Sequence, residues 1–100
     1  MIFTIVASKR FLKAAKRYKQ GGKRRILELA EEAINLLSAH DPKSFLILGT
    51  RFRDHALKGN KRGIRELHLG FDDLLLYCID EGTRTVELLD IVSHEELRKS

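Results

Sequence analysis

An α/β (α+β) domain is expected, with element order β-α-α-β-β-β: a helical hairpin forming one layer of a two-layer sandwich, packed on a small, mostly antiparallel sheet. Three features lead there. A β-forming segment opens the chain; two stretches with apolar residues at helical spacing flank Gly21-Gly22; and three stretches after residue 63 carry strand patterning between turn residues. Two amphipathic helices joined by a glycine turn each leave one apolar stripe, and a sheet laid against both stripes buries them together.

The elements follow in order. Ile2, Phe3, Ile5 and Val6 predict a first strand over residues 1–6. Ser8 is a candidate N-cap for a helix over 9–19, in which Phe11, Leu12, Ala15 and Tyr18 make the apolar face and Lys9, Lys13, Lys16 and Arg17 the opposite one. Ile26, Leu29, Ala30, Ala33, Ile34 and Leu37 predict a second helix, which Pro42 stops. Residues 44–48 fit helix or strand equally, and 49–60 read as a basic loop. Strands are then expected over 64–69, 73–79 and 85–92, with turns at Gly70-Phe71-Asp72-Asp73 and Glu81-Gly82-Thr83. They make an antiparallel meander, whose middle strand is apolar enough to be buried on both faces. Ser93-His94-Glu95-Glu96 has capping-box spacing, so His94 opens a terminal helical turn.

Composition bounds the function. A chain of 100 residues, 43% apolar and 33% charged, is expected to form a single domain over 1–100 with an ordinary core. No stretch is long enough to span a bilayer, and the apolar start is too short for a signal peptide. The expectation is a cytoplasmic protein without a membrane partner. The single Cys78 excludes an internal disulfide and any multi-cysteine zinc site, and its apolar surroundings suggest packing.

The net charge of +5 is unevenly spread: residues 1–27 hold nine bases and no acid, 28–42 four acids, 43–65 seven bases against one acid, and 66–100 three against nine. Two basic blocks fit a polyanion binder, and equally a solvated face for an acidic protein.

The stretch from Asp54 to Tyr77 concentrates the chemistry. In a strand Glu66 and His68 share a face, whereas Arg65 points to the other; His55 lies in the preceding basic loop, and His94 arrives where the last strand ends. Such groups suit strand cleavage of RNA. The 2′-hydroxyl is a built-in nucleophile, so the reaction needs a base, an acid for the leaving 5′-oxygen and cations for the phosphorane, with no metal or cofactor. Histidine serves both proton roles near neutral pH, and a carboxylate such as Glu66 or Asp72 fixes its tautomer. Each histidine alone also has a structural reading, and His40, at a helix end, keeps only that one. Spacings of 13 and 26 residues match no zinc signature.

Arg53-Asp54-His55-Ala56-Leu57-Lys58-Gly59, then Arg65-Glu66-Leu67-His68, Asp72 to Tyr77 and Ser93-His94-Glu95-Glu96-Leu97 resemble the YafQ branch of the RelE superfamily of bacterial type II toxins. The resemblance implies a β-α-α-β-β-β endoribonuclease, an mRNA interferase that enters the ribosomal A site, cleaves the messenger there and is held inactive by a cognate antitoxin protein. It implies His55, His68 and His94 as catalytic histidines, with Glu66 and Asp72 as the accompanying acids. Ala56 stands where the family has proline, Asp73 where an aromatic follows the turn acid, and Arg98 where an aromatic lies near the C-terminus. Lys9, Lys13, Lys16, Arg17, Lys58, Lys61, Arg62 and Arg98 are the expected RNA-binding residues. Two alternatives remain open: a ParE-like, gyrase-directed toxin of the same superfamily, and a non-catalytic RNA-binding domain whose stacking candidates are Phe52, Phe71 and Tyr77.

Overall fold

The computed structural model describes residues 2–59 and 63–99, the side chains of 98 and 99 excepted. Its elements are β1 (Thr4–Ala7), α1 (Lys9–Gln20), α2 (Arg24–Ala39), α3 (Pro42–Arg51), β2 (His55–Ala56), β3 (Arg65–Leu69), β4 (Asp73–Asp80), β5 (Thr85–Ser93) and α4 (His94–Lys99). The strands form one sheet in the order β1-β5-β4-β3-β2. β1 runs parallel to β5, and the other neighbours are antiparallel. The expected mixed α/β architecture is present, with one helix and one edge strand more than the sequence suggested.

Local chemistry explains the elements. Ser8 caps α1: its Oγ accepts from the Phe11 N–H at 3.0 Å and donates to the Leu89 carbonyl at 3.0 Å, tying the helix start to β5. Phe11, Ala14 and Tyr18 face inward, as do Ala30, Ala33 and Leu37 of α2, so the hairpin covers one face of the sheet. That face contributes Leu67, Leu69, Leu75, Tyr77, Val86 and Ile91, all at most 1% exposed. β1 starts later than expected because the Phe3 N–H donates to the Ser38 carbonyl at 2.8 Å, at the end of α2.

The segment left open between helix and strand is helical. Pro42 does not stop α2, which ends earlier with His40 in the left-handed region at φ 49°. It occupies the first turn of α3 instead, where a missing N–H costs nothing, and the Asp41 carboxylate accepts from the Ser44 N–H at 2.7 Å. Leu48 and Phe52 anchor this helix in the core, and Arg51 pairs with Glu32 of α2 at 2.9 Å. Part of the expected basic loop is therefore the end of α3, and His55-Ala56 adds a short strand beside β3. His40 stacks on Phe3 and meets Glu81 at 2.9 Å, in keeping with a structural role.

β4 is buried on both faces only at its start. Leu74 and Leu75 are inaccessible, but Cys78, on the face the hairpin leaves uncovered, is half-covered, and so is Ile79, near the end of the strand on the core side. Cys78 is thus less enclosed than expected; burial still pushes its thiol up, which makes it a poor nucleophile. A register shift pairs Leu76 with Asp90 and Tyr77 with Leu88, leaving Leu89 as the extra residue of a bulge. The bulge turns Asp90 onto the uncovered face, where Arg10 meets it at 3.0 Å.

Candidate active site

The uncovered sheet face carries the candidate residues. Alternation along β3 sends Leu67 and Leu69 into the core and Glu66 and His68 to the other side. β2 sets His55 directly opposite Glu66 in the antiparallel register. The β5 to α4 junction delivers the third imidazole: the His94 N–H donates to the Asp72 carbonyl at 3.0 Å, and its Nδ1 lies 3.2 Å from that carbonyl and 3.4 Å from Asp72 Oδ1. The capping box closes reciprocally, Ser93 N–H to Glu96 Oε1 at 3.0 Å and Glu96 N–H to Ser93 Oγ at 3.1 Å. The ring of His68 lies 5.6 Å from that of His55 and 5.2 Å from that of His94. Three histidines up to 39 positions apart thus form one row, with His68 in the middle.

Hydrogen-bond partners assign the protons. Both nitrogens of His55 face acceptors, Nδ1 the Arg53 carbonyl at 2.8 Å and Nε2 the Glu66 Oε1 at 2.7 Å, an arrangement that a doubly protonated ring beside a carboxylate satisfies. His68 differs: the Arg53 guanidinium Nη2 donates to its Nδ1 at 3.1 Å, so its proton sits on Nε2, 3.9 Å from Glu66 Oε1. Burial lowers the titration of His68, the Arg53 cation lowers it further, and Glu66 opposes both. Glu66 is 6% exposed, and its Oε2 is buried without a hydrogen-bond partner among the described residues. Such an orphan acceptor suits an incoming hydroxyl or cation.

Arg65 lies on the other side, as alternation requires. It grips Asp54 through Nη2 at 2.8 Å and Nε at 3.4 Å, while the Tyr77 hydroxyl donates to the same carboxylate. Burial and the Asp54 carboxylate push the Tyr77 hydroxyl up, so it stays protonated. Asp54 precedes His55, so this clasp fastens β2. Sequence reasoning missed both Arg53 and Asp54 as site-forming residues; their only signal is adjacency to His55.

The basic residues are less gathered. Lys9, Lys13 and Lys16 stay exposed along α1, and Lys58 is exposed beyond β2; none joins the hydrogen bonds of the histidine row described above. Arg17 lines a groove of about 570 Å³ on the uncovered face with Arg10, Leu76, Leu89, Val92 and Glu96. Leu76 pairs with Glu66 across the sheet, so the groove adjoins the row. Lys61, Arg62 and the Arg98 side chain lie outside the described residues. Of the three stacking candidates, Phe52 and Tyr77 are each 1% exposed, whereas Phe71, beside Asp72, is 96% exposed.

His55, Glu66 and His68 also bring one donor atom each within 4.8 Å of one another. Two imidazoles and a carboxylate form a borderline donor set that suits zinc or copper, although their sequence spacing matches no metal motif.

Known proteins share this architecture. A family model described as the bacterial toxin of type II toxin-antitoxin system, YafQ, matches residues 3–99. The fold superposes on a metal-bound toxin from Helicobacter pylori with a TM-score of 0.80 and 34% identity, over 96% of this chain and 99% of that one. It is also similar to YafQ from E. coli BL21(DE3), with a TM-score of 0.77, 20% identity and coverage of 95% and 97%. The match to the E. coli DinJ-YafQ toxin-antitoxin complex has a TM-score of 0.76 at 21% identity, covering 97% of this chain and 98% of that one. Among curated proteins, none matches the sequence significantly. No described helix is long and apolar enough to cross a membrane.

Proposed function

The chain belongs to the YafQ family of toxins from bacterial type II toxin-antitoxin systems, and from that premise we propose that it is an endoribonuclease that cleaves messenger RNA on the ribosome by metal-independent acid-base chemistry. The observation that carries this reading is the row of three imidazoles around a buried glutamate whose second oxygen lacks a partner. In this reading His68, neutral with a lone pair on Nδ1, takes the proton of the 2′-hydroxyl. His55, held against Glu66, carries a proton for the leaving 5′-oxygen, and its positive charge faces the phosphorane. Asp72 orients His94 through Nδ1, which turns Nε2 to the reacting region as a second proton carrier. Lys9, Lys13, Lys16, Arg17, Lys58, Lys61, Arg62 and Arg98 hold the RNA phosphates, and exposed Phe71 offers a base a stacking surface. The E. coli relative is seen in complex with DinJ, and we extend a protein antitoxin of that kind to this chain.

Expression of the chain alone in bacteria tests the reading. The expected result is arrested translation with cut messenger and unaltered DNA supercoiling. Inhibited supercoiling with intact messenger selects the gyrase-directed alternative, and RNA binding without cleavage selects the non-catalytic one.

The donor geometry favours one second reading. A zinc or copper ion held by His55, Glu66 and His68 would occupy the same proton-transfer groups, and the H. pylori relative is described as metal-bound. Cleavage by metal-stripped protein that persists in chelator and falls on adding zinc supports the metal-independent mechanism; loss in chelator with recovery on zinc supports a metal enzyme.

A further inference from the structure

Arg53 meets the central imidazole and one outer imidazole, although adjacency to His55 is its only mark in the sequence. Its carbonyl accepts from His55 Nδ1 at 2.8 Å, and its guanidinium Nη2 donates to His68 Nδ1 at 3.1 Å. One residue therefore faces two of the three rings, with its backbone on one and its side chain on the other. The backbone is held at φ 49°, the left-handed region that non-glycine residues seldom occupy. Buried Phe52 on one side and the Asp54 clasp to Arg65 and Tyr77 on the other maintain it there.

We propose that Arg53 is the positioning residue of the site: it fixes the proton of His68 on Nε2, covers the Nδ1 lone pair in the free toxin, and uncovers it by turning onto the RNA phosphate. The inference rests on the nuclease reading for its catalytic consequence alone. A guanidinium has no lone pair to accept a proton, so a ring nitrogen facing it must be the unprotonated one. The ring is kept neutral, as a base must be, but its basic atom is occupied. An RNA phosphate is a stronger, bidentate acceptor for the same guanidinium. Its arrival draws Arg53 from Nδ1 to the phosphate, and cation and base then meet the substrate together. The proton of the 2′-hydroxyl passes to Nδ1 while the oxygen attacks phosphorus, and the 5′-oxygen leaves with a proton from a neighbouring imidazole. The groups facing His68 are Arg53, Glu66, His94 and His55, of which only Glu66 favours its charged form.

Nitrogen NMR of the imidazoles in the full chain tests the first half without reference to activity. In the wild type, His68 is expected to hold its proton on Nε2 and to titrate below an ordinary histidine. In R53Q its titration moves up and the tautomers mix; in R53K a cation remains, so the titration stays lower than in R53Q while the tautomer preference still weakens. Unchanged His68 resonances in a folded R53Q, judged by its melting curve, overturn the proposal. A 2′-O-methyl RNA oligonucleotide, which cannot be cleaved, should move wild-type His68 toward its R53Q titration; no movement with RNA bound overturns the release step. Cleavage of ribosome-bound messenger should fall about 10²-fold in R53Q, the scale of losing one preorganised donor. Its acid limb should shift to higher pH, because His68 protonates earlier. Equal rates and pH profiles in wild type and R53Q return Arg53 to structure alone. If the wild type leaves messenger intact while the NMR changes occur as described, the nuclease reading fails and the Arg53–His68 coupling stands.

Discussion

If the nuclease reading holds, replacing His68 or His94 with alanine slows messenger cleavage by at least about 10²-fold each, because in that reading each removes a proton carrier rather than a binding contact. The double variant should be scarcely slower than the worse single, since groups that act as one unit do not add. Melting temperatures should show both variants folded, with a stability change on the order of 1 kcal/mol or less. A rate that falls only in step with stability would return that histidine to a structural part. His68 also leaves a signature on the pH dependence of folding. Its titration is lowered in the folded protein from an ordinary value of 6.5, so as pH falls the unfolded chain binds the extra proton first. Its contribution to stability is fully present above about pH 6.5 and is lost as pH drops through the folded value. A His68→Gln chain should therefore show a flatter fall of melting temperature over that acid window. Strand alternation places Glu66 and His68 on one face and the capping box puts His94 at a helix start, while their catalytic reading comes from the family resemblance. Arg53 could not be read in either way, because its importance lies in a left-handed backbone angle that no local pattern announces.

Among the elements, β2 is the most dependent on side chains. Two residues pair with β3, too few to hold by ladder bonds, and the Asp54–Arg65–Tyr77 clasp makes up the difference. Tyr77→Phe should cost about 1.5–3 kcal/mol in a urea melt, the worth of a hydrogen bond to a charged group. Hydrogen exchange should quicken at His55 and Ala56 but not along β4 and β5; uniform quickening would make the hydroxyl a core contribution instead. Residues 64–92 were readable as a meander because alternation and turn residues agree there. α3 was not, since Pro42 means a stop after one helix and a start before another, and only the Asp41 cap decides between them.

For the molecule as a whole, charge is the quantity to test. Lys9→Gln, Lys13→Gln and Lys16→Gln together should flatten the dependence of log RNA affinity on log salt by about one unit per lost phosphate contact. An unchanged slope would move the backbone path to the groove where Arg10 and Arg17 flank Leu76 and Val92. The segregation of bases was plain from the chain of +5 net charge, but its aim was not. A charge block says which surface attracts a polyanion; the sheet decides whether that surface lies beside the chemistry.

The parallel pairing of β1 with β5 joins Thr4 to Thr85, and the imidazole row is completed by His94. Both facts tie the site to the order of synthesis. A chain still emerging from the ribosome cannot close its sheet until the last strand has left the exit tunnel, and it lacks its third imidazole until a few residues later. Contacts of such long sequence separation also form late in folding. On the nuclease reading, the ribosome that makes this chain is shielded from it until synthesis nears its end, and a fragment ending before residue 94 is expected to leave bacterial translation unaffected even when its helical hairpin has formed.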